Sequence, residues 1–166
     1  MVFNSIEFLL YFLPAFTLIY YLTPVRYRNI TLLAGSIFFY AYGEPVYVLL
    51  LMGSVLVNFA VGKYLSIERK KNSSRRRLLF WVTAGADVFV LCFFKCVPQT
   101  GWLSGSVGLP LGISFYTFQI LSYLADVYRG EIYAEKSLLR LGTYIAMFPQ
   151  LVAGPIVNYS EVSEDL

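Results

Sequence analysis

Apolar residues in this chain run together rather than alternating with polar ones, in five stretches over residues 6–22, 30–42, 46–61, 78–97 and 113–128. Lipid is the solvent that such runs fit. The rest of the composition agrees. Charged residues make up 14% of the 166, against about 25% in an ordinary soluble domain. Hydrophobic residues reach 58%, aromatic residues 18%, and the mean hydropathy is +0.63. The expected fold class is therefore all-α, a multi-pass transmembrane helix bundle of about five spans.

The breaks between the runs set the expected topology. Pro14 lies inside the first run and predicts a kink there. No Lys or Arg precedes that run and no small-residue cleavage site follows, so it reads as a retained helix rather than a removed signal. Gly43-Glu44-Pro45 predicts a hairpin between the second and third runs. The second run is short, which predicts local thinning or tilt. Residues 63–77 hold seven Lys and Arg and read as a basic cytoplasmic loop. This count leaves only Lys95 of the 13 basic residues on the outer half, so the N-terminus is expected outside. A helix over residues 137–148 is then expected on the cytoplasmic side. The stretch FPQLVAGPIVNY follows it, and it is apolar but twice broken, at Pro149 and at Gly154-Pro155. Non-helical backbone at membrane depth is tolerated only where protein buries it or water reaches it. Residues 148–157 are accordingly expected to form a re-entrant segment walling a cavity.

The run 113–128 carries the main candidate site. At 100° per residue, Phe115, Gln119, Ser122, Asp126 and Arg129 fall within roughly 80° of one another. Lipid satisfies none of those polar groups, so the stripe must face protein or a wet cavity. It either joins helices by hydrogen bonds or also lines a substrate path. Ser122 with Asp126, and Asp126 with Arg129, are spaced to pair locally. Tyr116 and Tyr123 flank the stripe. Asp87, in the middle of the fourth run, is a second candidate. A carboxylate there costs about 2.5–3.5 kcal/mol on insertion scales, which predicts a partner on another helix. Lys95 is too far along the same helix to serve.

Other chemistries are excluded or weak. The chain has no histidine, and Cys92 and Cys96 alone supply too few ligands for a metal site. Those cysteines read as small packing residues without a base to activate them. No basic surface interleaves with stacking aromatics, so nucleic acid is not an expected partner. The basic loop is explained as a topology anchor, with membrane lipid headgroups as a further partner. Three N-glycosylation-type triplets fall at membrane or cytoplasmic positions and read as chance.

Two long motifs add a family likeness. LPLGISFYTFQILSYLADVYRGE (109–131), followed by MFPQLVAGPIVNYSEV (147–162), resembles the membrane-bound O-acyltransferase family. The likeness is to its bacterial polysaccharide branch, that of alginate O-acetylation and teichoic acid D-alanylation. MVFNSIEFLLYFLPAF and FFYAYGEPVYVLLL resemble it too. The resemblance implies a multi-pass enzyme of the bacterial inner membrane. Such an enzyme passes an acyl group from a cytoplasmic donor such as acetyl-CoA to a hydroxyl of an extracellular polysaccharide, alongside a pathway partner protein. It implies no cofactor. The family's reaction depends on a histidine, so no catalytic residue carries over. The expectation is that residues 1–166 are the N-terminal part of one such domain, inactive without the C-terminal remainder. Gln119, Ser122, Asp126, Arg129, Tyr116, Tyr123, Gln150, Gly154 and Pro155 would line a tunnel or support its helices. The competing readings are a histidine-free scaffold or split-gene subunit and, more weakly, a small transporter.

Overall fold

Residues 8–68, 74–96, 109–149 and 159–162 are described by a computed structural model, and every regular element among them is helical. A π-helical turn (Phe8–Phe12) leads into α1 (Leu13–Leu22), and a 3-10 turn (Val25–Tyr27) leads into α2 (Arg28–Gly43). There follow α3 (Pro45–Ile67), α4 (Ser74–Cys96), α5 (Ile113–Arg129), α6 (Leu138–Ala146) and the short α7 (Tyr159–Val162).

Among the described residues, α3 and α4, at 23 residues each, are the two helices long and apolar enough to cross a membrane, by length and composition. Each spans about 34 Å at 1.5 Å per residue. Only 22% and 17% of their most apolar windows are buried within the chain. Leu49 and Val57 on α3, and Trp81 and Phe89 on α4, face outward instead. The core helix of a soluble protein is mostly buried, and these are not.

Pro14 lies within one continuous helical run, in the first α-helical turn directly after the π-helical turn Phe8–Phe12. Proline offers no N–H to the carbonyl four residues back, and its ring crowds that carbonyl. The one-turn π segment just before it absorbs the mismatch.

The break at Gly-Glu-Pro does form. Glu44 alone is non-helical between α2 and α3, with φ −145° and ψ 75°, and Pro45 starts α3. Leu33 and Val55, equidistant from Glu44, both lie against Gly142 of α6, so α2 and α3 fold back on each other. The basic segment is shorter than residues 63–77. α3 carries Lys63 within it, and α4 starts at Ser74, taking in Arg75, Arg76 and Arg77.

α5 is the central helix, with Tyr116, Ile120, Tyr123, Leu124 and Val127 buried against α3, α4 and α6. Glycines at φ 70° and 82°, Gly112 and Gly130, close its two ends. The left-handed region costs a glycine nothing, whereas a side chain there would strain the turn.

α6 runs beside α2 in the same direction. Thr143 Oγ1 donates to the Asn29 carbonyl at 3.2 Å near one end, and the Phe148 N–H donates to Ser36 Oγ at 3.3 Å near the other. α6 stops at Ala146, short of Pro149, because Met147 turns extended and sends Phe148 into an aromatic cluster. That cluster joins Phe148 to Phe8, Phe12, Phe16 and Phe39 at centroid separations of 5.3–5.9 Å. Residues 150–157 lie outside the described residues, and with them Gln150, Gly154, Pro155 and most of the expected re-entrant segment.

Candidate functional site

The polar residues of α5 divide between its two faces. Tyr116 and Tyr123 belong to the core face, where each is buried at 1% exposure or less. Gln119 is also buried, Ser122 and Asp126 are half-buried, and Arg129 is exposed, so the stripe passes from inside to outside along the helix. Phe115 and Phe118 beside it are exposed. The described helices therefore cover the stripe fully at Gln119 and partly at Ser122 and Asp126. Arg129 pairs with Glu131 at 3.9 Å in place of the expected Asp126, because the turn closed by Gly130 brings Glu131 back toward the helix end. The Asp126 carbonyl caps that turn, accepting from the N–H groups of Gly130 and Glu131, each at 3.0 Å.

Asp87 finds its partner on α3. Asn58 Nδ2 donates to Asp87 Oδ1 at 3.3 Å and to the Ser54 carbonyl at 3.0 Å. Asn58 is fully buried, and sequence reasoning missed it. Its signal was available, as a lone amide within an apolar run is as costly as a lone charge is conspicuous. Tyr116 of α5 lies close enough to interact electrostatically with Asp87. Asp87 Oδ2, Asn58 Oδ1 and the Tyr116 hydroxyl are buried and make no hydrogen bond to the described residues. α3 and α4 thus meet through Asn58 and Asp87, each of which keeps a buried oxygen with spare hydrogen-bonding capacity.

Glu44 was also missed. Its Oε2 accepts from the Leu111 N–H at 2.7 Å, and Tyr40 Oη donates to the Leu111 carbonyl at 2.9 Å. The non-helical residue between α2 and α3 thereby fixes the entry to α5.

A second polar knot lies at the other end of α5. The Glu135 N–H donates to Tyr123 Oη at 3.0 Å, and Glu135 Oε1 accepts from the N–H groups of Lys136 and Ser137, each at 2.8 Å. Tyr159 Oη donates to Glu135 Oε2, and its ring packs against Tyr123 and Tyr144. Burial pushes the Glu135 carboxyl up. The hydrogen bonds from Tyr159, Ser137 and Lys136, with Arg140 nearby, outweigh that and hold it below its ordinary range. Burial, and then the hydrogen bond to Glu135, keep the Tyr159 phenol protonated.

Arg76 clamps the same end. Its guanidinium donates to the carbonyls of Leu65 and Tyr128 and lies 4.8 Å from the Tyr128 ring centre. Part of the basic segment thus joins α3, α4 and α5. Cys92 and Cys96 are exposed rather than packed between helices, which corrects their expected role. No cluster of His, Cys, Asp and Glu that would hold a metal occurs among the described residues.

This architecture is a helical assembly with two membrane-length helices and polar groups gathered along a central helix. No protein-family model and no solved structure matches the chain. Curated relatives do. The chain is 36% identical to the probable alginate O-acetylase AlgI of Azotobacter vinelandii, across 98% of this chain and 35% of that protein. It is 36% identical to the protein of the same name from Pseudomonas aeruginosa, across 98% and 34%. It is 29% identical to the peptidoglycan O-acetyltransferase of Helicobacter pylori, across 98% and 38%. Over nearly its whole length the chain is thus similar to proteins named as alginate O-acetylases and a peptidoglycan O-acetyltransferase. It spans about a third of the length of the curated relatives it matches.

Proposed function

We propose that these residues are the N-terminal part of a membrane-bound O-acyltransferase that moves an acyl group, in this reading acetyl, from a cytoplasmic donor such as acetyl-CoA to a hydroxyl of an extracellular polysaccharide. The observation that carries the proposal is the 36% identity to alginate O-acetylases across 98% of the chain. In this reading the chain makes about five passes of the bacterial inner membrane with its N-terminus outside, residues 63–77 on the cytoplasmic side and residues 148–157 re-entrant. The remainder of the enzyme supplies the base for the accepting hydroxyl, since this chain has no histidine. A pathway partner protein receives or presents the polysaccharide.

The role of these residues is then structural and electrostatic. The Asn58–Asp87–Tyr116 group and the buried end of the α5 stripe offer hydrogen bonds inside the bundle, where exclusion of water strengthens each of them. The half-covered face at Ser122 and Asp126 is where further helices of the enzyme would close the path. In native membranes, Gln119→Leu and Asp126→Asn are expected to lower polysaccharide acetylation more than they lower the amount of folded protein. Loss of acetylation strictly in step with protein level would leave the stripe a purely structural role.

The absence of histidine favours a second reading, a non-catalytic membrane scaffold or split-gene subunit. Both readings expect no acyl transfer from this chain alone. The native membranes separate them, because a scaffold tolerates Gln119→Leu at full acetylation whenever the protein is folded.

A further inference from the structure

The starts of α2 and α6 enclose a cavity of about 450 Å³. Arg26, Arg28 and Arg140 line it together with Tyr20, Asn29 and Ser137, and no acidic residue is among the described residues that line it. Arg28 lies 5.4 Å from the centre of the Tyr20 ring, while its Nε is buried and makes no hydrogen bond to the described residues. Arg140 also faces Glu135, whose carboxylate is already engaged by Tyr159 and two backbone N–H groups. α2 and α6 run in the same direction and both begin here, and neither start has a side-chain cap. Two helix dipoles therefore add to three guanidinium groups at one place.

An apolar groove of about 440 Å³ lies between α1 and α2, and its Ile19 and Ile30 directly adjoin in sequence Tyr20 and Asn29 of the cavity. Phe12, Phe16, Ile19, Thr31, Gly35 and Phe38 line it. Arg28, Thr31 and Gly35 are spaced to share one face of α2, and Phe16 stacks on Tyr20 across the boundary. The charged cavity is thus the head of the apolar groove. Gly35 lets the Phe16 ring pack directly onto α2 as a wall of the groove, because a Cβ there would meet that ring at 2.2 Å.

We infer that the two together bind one anionic phospholipid, its phosphate among Arg26, Arg28 and Arg140 and an acyl chain along the α1–α2 groove. The charge complementarity at one end and the apolar walls at the other fit an amphipathic anion and no simpler ligand. This inference rests on the membrane placement of the chain and not on its acyl-transfer role.

The test is lipid binding to the detergent-solubilised full chain, read by native mass spectrometry and by melting temperature. The probes are dioleoyl phosphatidylglycerol, dioleoyl phosphatidylcholine and inorganic phosphate. The expected result is retention of about one phosphatidylglycerol at roughly tenfold preference over phosphatidylcholine, with no comparable effect of inorganic phosphate. Arg28→Gln and Arg140→Gln should each weaken binding roughly fivefold, and Ala34→Phe, which fills the groove from an exposed position, should displace the chain. Equal binding of both lipids overturns the inference, and that comparison uses the unmodified chain, so it stands even if a variant fails to fold. An equal effect of inorganic phosphate reassigns the cavity to a soluble anion. Lipid binding unchanged by Ala34→Phe means the groove is covered by protein instead. Loss of acetylation with lipid binding intact, or the reverse, separates this site from the proposed function.

Discussion

Asp87 depends on one neighbour. Removing Asn58 as Asn58→Leu leaves a half-buried carboxylate without its donor, at a cost of about 1–3 kcal/mol. Replacing both residues by leucine removes the buried polar groups together, so Asn58→Leu/Asp87→Leu is expected to melt closer to the unmodified chain than either single variant does. Thermal unfolding in detergent checks this; additive losses would mean that the two groups do not act as a pair. Glu135 gives a prediction in pH. Its folded carboxyl titrates below the unfolded value of about 4.3, so it contributes stability above that pH and loses the contribution as pH falls through the folded value. The gap in melting temperature between the chain and Glu135→Gln is therefore expected to be widest near neutral pH and to close in the acid range. A gap independent of pH would show that the ionised carboxylate is not what Tyr159 and the two N–H groups hold. The candidate residues were only partly legible at this scale. A carboxylate within an apolar run is conspicuous, and Asp87 was found. Asn58, Glu44 and Glu135 were not, because their importance comes from which distant backbone or side-chain group meets them.

Between helices, Gly62 lets α3 pack tightly against α5. A Cβ on Gly62 would lie 3.0 Å from the Tyr123 hydroxyl and 3.1 Å from its ring, with Tyr123 itself fixed by the Glu135 N–H. Gly62→Ala is expected to cost about 1–3 kcal/mol, whereas Gly85→Ala on α4, with open space around it, should be neutral or slightly stabilising. Melting curves of the two variants decide whether α3 and α5 are held at this separation. Equal effects would say they are not. The α2–α3 break was legible because Gly43, Glu44 and Pro45 act through local backbone chemistry. The ends of α3 and α4 were not, since hydropathy marks where lipid-compatible residues stop while backbone hydrogen bonding continues to Ile67 and back to Ser74. The end of α6 at Ala146 was hidden for another reason. It is set by Phe148 packing against residues more than a hundred positions earlier.

At the level of the whole chain, the two natural cysteines report on orientation. Both lie exposed near the end of α4, and in the proposed topology Cys96 faces outward from the membrane while Cys92 sits one turn deeper. A membrane-impermeant maleimide applied to intact spheroplasts is expected to label Cys96 in a Cys92→Ala background. Labelling only after permeabilisation would reverse the orientation. The all-helical class was legible from the apolar runs alone. The family likeness was legible from two long motifs, because those motifs are far longer than composition could generate. What lay beyond the sequence was the way α2 and α6 align their starts around three arginines, which depends on packing between distant segments. The proposed transfer of acyl groups to extracellular polysaccharide leaves a chemical trace: the ester-linked acetate content of purified surface polysaccharide, measured in cells with the gene intact, deleted, or carrying Gln119→Leu at matched protein level. Acetate is expected to be lost on deletion and lowered by Gln119→Leu. Acetate unchanged on deletion would contradict the proposed transfer.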